Sequence, residues 1–160
     1  MSIAMISLIA VIVLVVVDQI IKHWAVSALA ASSITLIKDV LSFTYYENRG
    51  AAFGLMQNMQ TYLITATIII LGVIMVLVCM GKIKGYLLVS SITLIIAGGI
   101  GNLIDRVSLG YVIDYIYFEL INFPIFNFAD CCVVVGCGLM ILYVLLDDRK
   151  TAKLAKEQES

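Results

Sequence analysis

Four stretches of nearly unbroken apolar sequence, residues 3–17, 62–80, 85–104 and 131–146, constrain this chain more than any other feature. A hydrocarbon core of about 30 Å, crossed at 1.5 Å per residue, takes about 20 residues of helix. Each stretch reaches that length or can be extended to it. Backbone groups in lipid must be satisfied internally, so such stretches cross as helices. Only 13% of the residues are charged, against about 25% in an ordinary soluble domain. The expectation is a membrane protein, mainly α, with transmembrane helices at residues 3–24, 62–80, 85–104 and 130–147. Residues 1–160 form one integral-membrane domain on this reading. Ala28-Leu29-Ala30 imitates a leader-peptide cleavage site. However, no Lys or Arg precedes the apolar run, and Asp18, Lys22 and His23 interrupt it first. The first stretch is therefore read as a retained helix.

Cytoplasmic loops collect Lys and Arg. The turn between the second and third spans holds Lys82 and Lys84, and the tail at 148–160 holds Arg149, Lys150, Lys153 and Lys156. With four spans these segments share a side, which puts both termini in the cytoplasm. The loops on the opposite side are more than connectors. Segments 33–38 and 41–46 are rich in β-branched and aromatic residues, which favours short strands, and Asn48-Arg49-Gly50 reads as a turn. A small extracytoplasmic β-sheet is expected within 33–58. The aromatic segment 110–128 suits the headgroup layer, and a short interfacial helix is expected there near Tyr111 to Leu120, broken before Pro124.

The polar residues of this apolar chain crowd the same outer side: Asp18, Gln19, Lys22, Asn48, Arg49, Asn102, Asp105, Arg106, Asp114, Asn127 and Asp130. An ionised Asp at mid-bilayer costs about 3 kcal/mol or more, so such groups belong at an edge, in a wet cavity, or in pairs. Asp18–Lys22 and Asp105–Arg106 read most simply as structural ion pairs at helix ends. Asp114 and Asp130 have no adjacent cation and are the better candidates to share a proton, as a general acid–base pair must. Spacing alone does not distinguish them from Asp105 or Glu119. The single His and the four Cys show neither metal-ligand spacing nor a nucleophile's partners. A net charge of −1 lacks the basic footprint of a nucleic-acid binder. Three functions stay open on the residues alone: a peptidase using paired carboxylates, a small proton-coupled membrane transporter in which the acids relay protons, and a structural or assembly subunit with interfacial ion pairs.

Five motifs extend the reading: Asp18-Gln19-Ile20-Ile21-Lys22, Asn48-Arg49-Gly50-Ala51-Ala52-Phe53, Gly98-Gly99-Ile100-Gly101-Asn102-Leu103-Ile104-Asp105-Arg106, Val112-Ile113-Asp114-Tyr115 and Phe126-Asn127-Phe128-Ala129-Asp130. In this order, at the outer edges of four spans, they resemble the bacterial lipoprotein signal peptidases (signal peptidase II). Tyr115 stands where that family more often has Phe. The resemblance implies an aspartyl endopeptidase of the bacterial cytoplasmic membrane, with its active site at the outer leaflet and no metal or organic cofactor. It places the catalytic dyad on Asp114 and Asp130, and the substrate-binding or orienting positions on Asp18, Lys22, Asn48, Gly99, Asn102, Asp105, Arg106 and Asn127. The implied partners are membrane lipids and a diacylglyceryl-modified prolipoprotein, cut just before its lipidated Cys.

Overall fold

Burial in this chain is inside out. Along the first helix the buried positions are Asp18, Lys22, Ala25 and Leu29, while Ile12, Val13, Val16 and Ile20 are each half or more exposed. That pattern suits lipid as the solvent, where apolar side chains face outward and ionisable ones turn in. The computed structural model describes residues 3–50, 56–57 and 59–158, with residues 148–158 described by backbone alone. Ala51, Ala52 and Phe53 of the second motif lie outside the described residues.

The elements follow in the order α1 (Ile3–Leu29), β1 (Ile34–Ile37), β2 (Leu41–Asn48), α2 (Gln60–Cys79), α3 (Tyr86–Ser108), β3 (Val112–Phe118), a 3-10 turn at Glu119–Ile121, and α4 (Phe128–Gln158). Among the described residues four helices are long and apolar enough to cross a membrane. The protein is thus mainly helical, with a three-stranded antiparallel sheet in the order β1-β2-β3. Helix α1 runs past residue 24 to Leu29, α3 past 104 to Ser108, and α4 continues into the basic tail. Along α2 only Ile74 is buried, as expected of a helix apolar on all sides.

One expectation is corrected. The segment near Tyr111 to Leu120 is no interfacial helix: Val112–Phe118 is strand β3, and helical geometry is limited to the turn at Glu119–Ile121. Alternating β-branched and aromatic residues favour a strand, and pairing with β2 supplies the ladder that a lone segment lacks. After β3 the chain reverses through Asn122, which is left-handed at φ 47°. It then returns alongside, with Tyr115 N and Ile116 N donating to Phe126 O at 3.1 and 2.8 Å. This reversal carries the chain from Asp114 back to the start of α4.

Helices α3 and α4 approach most closely where side chains are smallest. A Cβ at Gly98 would overlap the Ala129 carbonyl, and Ser91 Oγ donates to Gly136 O at 2.8 Å. Beneath the sheet, Ala25 and Leu29 of α1 pack with Ile113 and Tyr115 of β3. The contrast between glycines is testable. Gly98→Ala should destabilise by about 1–3 kcal/mol through overpacking. Gly138→Ala, with nothing within 4 Å of the new Cβ, should leave the melting temperature in detergent unchanged or raised.

Candidate active site

Lys22 is fully buried, and each of its three ammonium protons has an acceptor. Nζ lies 2.9 Å from Asp18 Oδ2, 2.9 Å from Asp105 Oδ2 and 2.9 Å from Asn102 Oδ1. The two carboxylates are also satisfied. Asp105 Oδ2 accepts from Ile113 N at 3.1 Å, and its Oδ1 from Gln19 Nε2 at 3.0 Å. Asp18 Oδ1 accepts from Ala129 N at 3.0 Å. Asp105 therefore pairs with Lys22 and not with its neighbour Arg106, which corrects the expected Asp105–Arg106 pair. The expected Asp18–Lys22 pair is present.

From Lys22 the hydrogen bonds lead to two further acids. Asn102 Nδ2 donates to Asp130 Oδ1 at 2.8 Å. Asn127 Nδ2 donates to Asn102 Oδ1 at 3.1 Å and to Asp114 Oδ1 at 2.6 Å. Asn127 also caps α4: its Oδ1 accepts from Asp130 N at 2.9 Å, while Asp130 Oδ2 accepts from Asn127 N at 3.1 Å. Such reciprocal bonding is a capping box with Asp in the place of Glu. It holds Asp130 at the third helical position, and Asn127 bridges the two acids.

On the other side, Asn48 Nδ2 donates to Asp114 Oδ2 at 2.9 Å and its Oδ1 accepts from Gly50 N at 3.0 Å. Asp114 and Asp130 both border a cavity of about 810 Å³, together with Tyr46, Asn48, Asn102 and Arg106. Apart from Thr67 and Cys131, the rest of its wall is apolar, including Ile125 and Val133–Val135. Arg106 donates to Gly50 O at 3.3 Å, and its Nε has no hydrogen-bond partner among the described residues. Burial, then the negative charge of Asp130, push the Asp114 carboxyl up to about 7; bonds from Asn48 and Asn127 oppose the rise. Asp114 thus stays protonated to near-neutral pH. Among the described residues no group of three or more His, Cys, Asp or Glu is arranged to hold a metal ion.

Residues 10–146 match the family model described as signal peptidase (SPase) II. Similar curated proteins include the lipoprotein signal peptidases of Clostridium tetani, 41% identical over 84% of this chain and 88% of that one, and of Streptococcus thermophilus, 42% identical over the same shares. Two solved structures, each titled as a bacterial membrane enzyme determined by the in meso method, have the same fold. One has a TM-score of 0.80 at 31% identity, covering 89% of this chain and 88% of that one; the other has 0.74 at 33%, covering 87% and 92%. The chain belongs to the signal peptidase II family. It is therefore a membrane-embedded peptidase.

Of the residues singled out in this signal peptidase II homologue, Asp18, Lys22, Asn48, Asn102, Asp105, Arg106, Asp114, Asn127 and Asp130 form one network around the cavity. Gly99 does not join it. A Cβ there would face Leu71 of α2, whereas one at Gly101 would lie 2.6 Å from Asp18 Oδ2. Gly101 is thus the one of the two that packs against Asp18, and only the helix's rotation distinguishes them. Gln19 was missed as a site residue: besides Asp105, its Nε2 donates to Gly101 O at 3.2 Å and approaches Asp18 Oδ2 at 3.4 Å. Its position beside Asp18 carried no separate signal. The capping box was likewise not read from the sequence, although Asn127-x-x-Asp130 before an apolar run carries its pattern.

Removing the central cation should be costly. Lys22→Met leaves Asp18 and Asp105 buried without their cation, so a loss of about 3–5 kcal/mol is expected. It would appear as a marked fall in the detergent melting temperature. Lys38→Met, on the exposed β1–β2 turn, should change it little.

Proposed function

We propose that this protein is an aspartyl endopeptidase that removes the signal peptide from diacylglyceryl-modified prolipoproteins, cutting just before the lipidated Cys, with Asp114 and Asp130 as the catalytic pair. The observation that carries this reading is the Asn127 bridge: one amide side chain bonds Asp114, caps the helix bearing Asp130, and leaves both carboxyls bordering one cavity. Family membership supports hydrolysis over proton-coupled transport, and the lipoprotein signal peptidases among the relatives support the substrate. The apolar part of the cavity wall, continuous with membrane-spanning α4, suits acyl chains. The polar part suits the peptide.

In the working state the pair shares one proton. The ionised carboxylate takes a proton from the attacking water as the water oxygen bonds to the scissile carbonyl carbon. The protonated partner gives its proton to the carbonyl oxygen, forming a neutral tetrahedral diol. On collapse, the newly protonated acid passes its proton to the amine of the leaving Cys, and the other recovers one from a diol hydroxyl. The C–N bond breaks and the pair returns to its starting state. Asn102, Asn127 and Arg106 steady the acids and the substrate backbone, while Lys22, Asp18 and Asp105 hold the helices that carry them. The basic turn and tail support an orientation with both termini in the cytoplasm and the dyad at the outer leaflet.

The purified chain, given a lipid-modified prolipoprotein in detergent, should release the signal peptide. Asp114→Asn and Asp130→Asn should each lower kcat by at least about 100-fold, with folding checked by melting temperature. Glu119→Gln should remain active, and survival of cleavage in either Asp variant would overturn the dyad. The pH profile carries a sign as well. Asp114 holds its proton below about 7, so the singly protonated pair is lost as pH rises through that value, and kcat should fall on the alkaline side.

A further inference from the structure

Strand β2 does not run in simple register with β3. Phe43 lies opposite Ile116, yet Asp114, two residues before Ile116, lies opposite Tyr46, three residues beyond Phe43. A bulge absorbs the extra residue, as bulges beside active sites do when they re-aim side chains. Without it Tyr45 would oppose Asp114 and the Asn48 side chain would turn to the opposite face. The re-aimed register comes with a weakness. Asn48–Val112 is the last backbone pair of the ladder, and Asn48 orients Asp114 from that open end.

Beyond it the side chains continue the pairing. One further step sets Arg49 opposite Tyr111, and the Arg49 guanidinium carbon lies 5.2 Å from the centre of the Tyr111 ring. Arg49 Nη2 donates to Glu47 Oε2 at 2.7 Å. The Tyr45 hydroxyl reaches Glu47 Oε1 at 3.3 Å and the Tyr111 hydroxyl at 3.3 Å. The four side chains close a ring of contacts at the open end of the ladder. Burial, then the hydrogen bond to Tyr111, push the Tyr45 phenol up, so Tyr45 stays neutral over the range in which Asp114 titrates.

We propose that Arg49, stacked on Tyr111 across the end of the β2–β3 ladder, is a positioning residue of the peptidase that acts through Asn48 to hold Asp114 in its reacting orientation. This rests on the dyad reading given above. The groups that face Asp114 are Asn48 of β2, Asn127 and Asp130 at the start of α4, Lys22 of α1 and Arg106 of α3. Arg49 is not among them. The Asn48 bond favours the ionised carboxylate, so loosening Asn48 raises the proton affinity of Asp114. A plain solvated Arg49–Glu47 surface pair makes no such demand.

The test compares Arg49→Ala, Arg49→Lys and Tyr111→Leu with the parent chain, measuring kcat and KM on a lipid-modified prolipoprotein across pH. An exposed cation–aromatic contact is modest, so Arg49→Ala and Tyr111→Leu should each lower kcat about two- to fivefold. KM should be unchanged, the alkaline limb should move to higher pH, and Arg49→Lys should recover most of the loss. The double variant should lose less than the product of the two single losses, because both remove the shared Arg49–Tyr111 contact. A parent kcat and pH profile in Arg49→Ala would overturn the proposal, and so would an effect confined to KM, which would mean contact with substrate. An infrared titration of the Asp114 carboxyl, identified by difference from Asp114→Asn, needs no turnover. An upward midpoint shift in Arg49→Ala supports positioning, and an unchanged midpoint overturns it. Should the parent chain cleave nothing, the peptidase reading fails and this titration still decides the role of Arg49.

Discussion

The triple hydrogen bonding of Lys22 organises the rest of the structure. An ammonium group withdrawn from water costs several kcal/mol unless acceptors surround it, and in a bundle whose outer surface is lipid-facing Ile, Val and Leu those acceptors come from neighbouring helices. Asp18 supplies one from the same helix, and Asp105 and Asn102 supply two from α3. The other oxygen of Asp18 takes Ala129 N at the start of α4. One buried cation thus sets how three helices are rotated and how far each is slid along its neighbour. Apolar faces cannot do this in lipid, because sliding one against another changes little.

The same arrangement explains why the start of α4 tolerates burial. Its first N–H groups would be orphaned in an apolar setting. Phe128 N donates to the Tyr115 hydroxyl, Ala129 N to Asp18, Asp130 N to Asn127 Oδ1 and Cys131 N to Asn127 O. These bonds tie the helix end to β3 and to α1 at once. The result is a stiff frame on which Asp130 faces Asp114 with one shared bridge, Asn127. The satisfaction of buried backbone donors and the bridging of Asp114 to Asp130 are met by the same residues.

Much of this was legible in the sequence. The four spans follow from apolar length and the near absence of charge, strands β1 and β2 from their β-branched and aromatic runs, and the polar set from its crowding on one side. Strand β3 was not legible, because Tyr111, Tyr115 and Tyr117 fit an interfacial helix as well as a strand. What decided it was a partner, β2, found only in three dimensions. The partner of Asp105 was misread for a similar reason. Adjacency suggested Arg106, but neighbours in a helix point about 100° apart, and Lys22 arrives from another helix.

Local chemistry along the chain determined that this protein must cross a membrane, which residues are too polar to face lipid, and that Asp18, Asp105, Asp114 and Asp130 gather at one end of the bundle. Periodicity and transfer free energy act over a few turns of helix and need no distant contact. Tertiary structure alone decided that Gly101 and not Gly99 lies against Asp18, that Lys22 serves Asp105, and that a one-residue bulge turns Asn48 onto Asp114. Each depends on helix rotation, helix offset or strand register. Those are set by the few buried polar bonds between elements, which a linear sequence does not display.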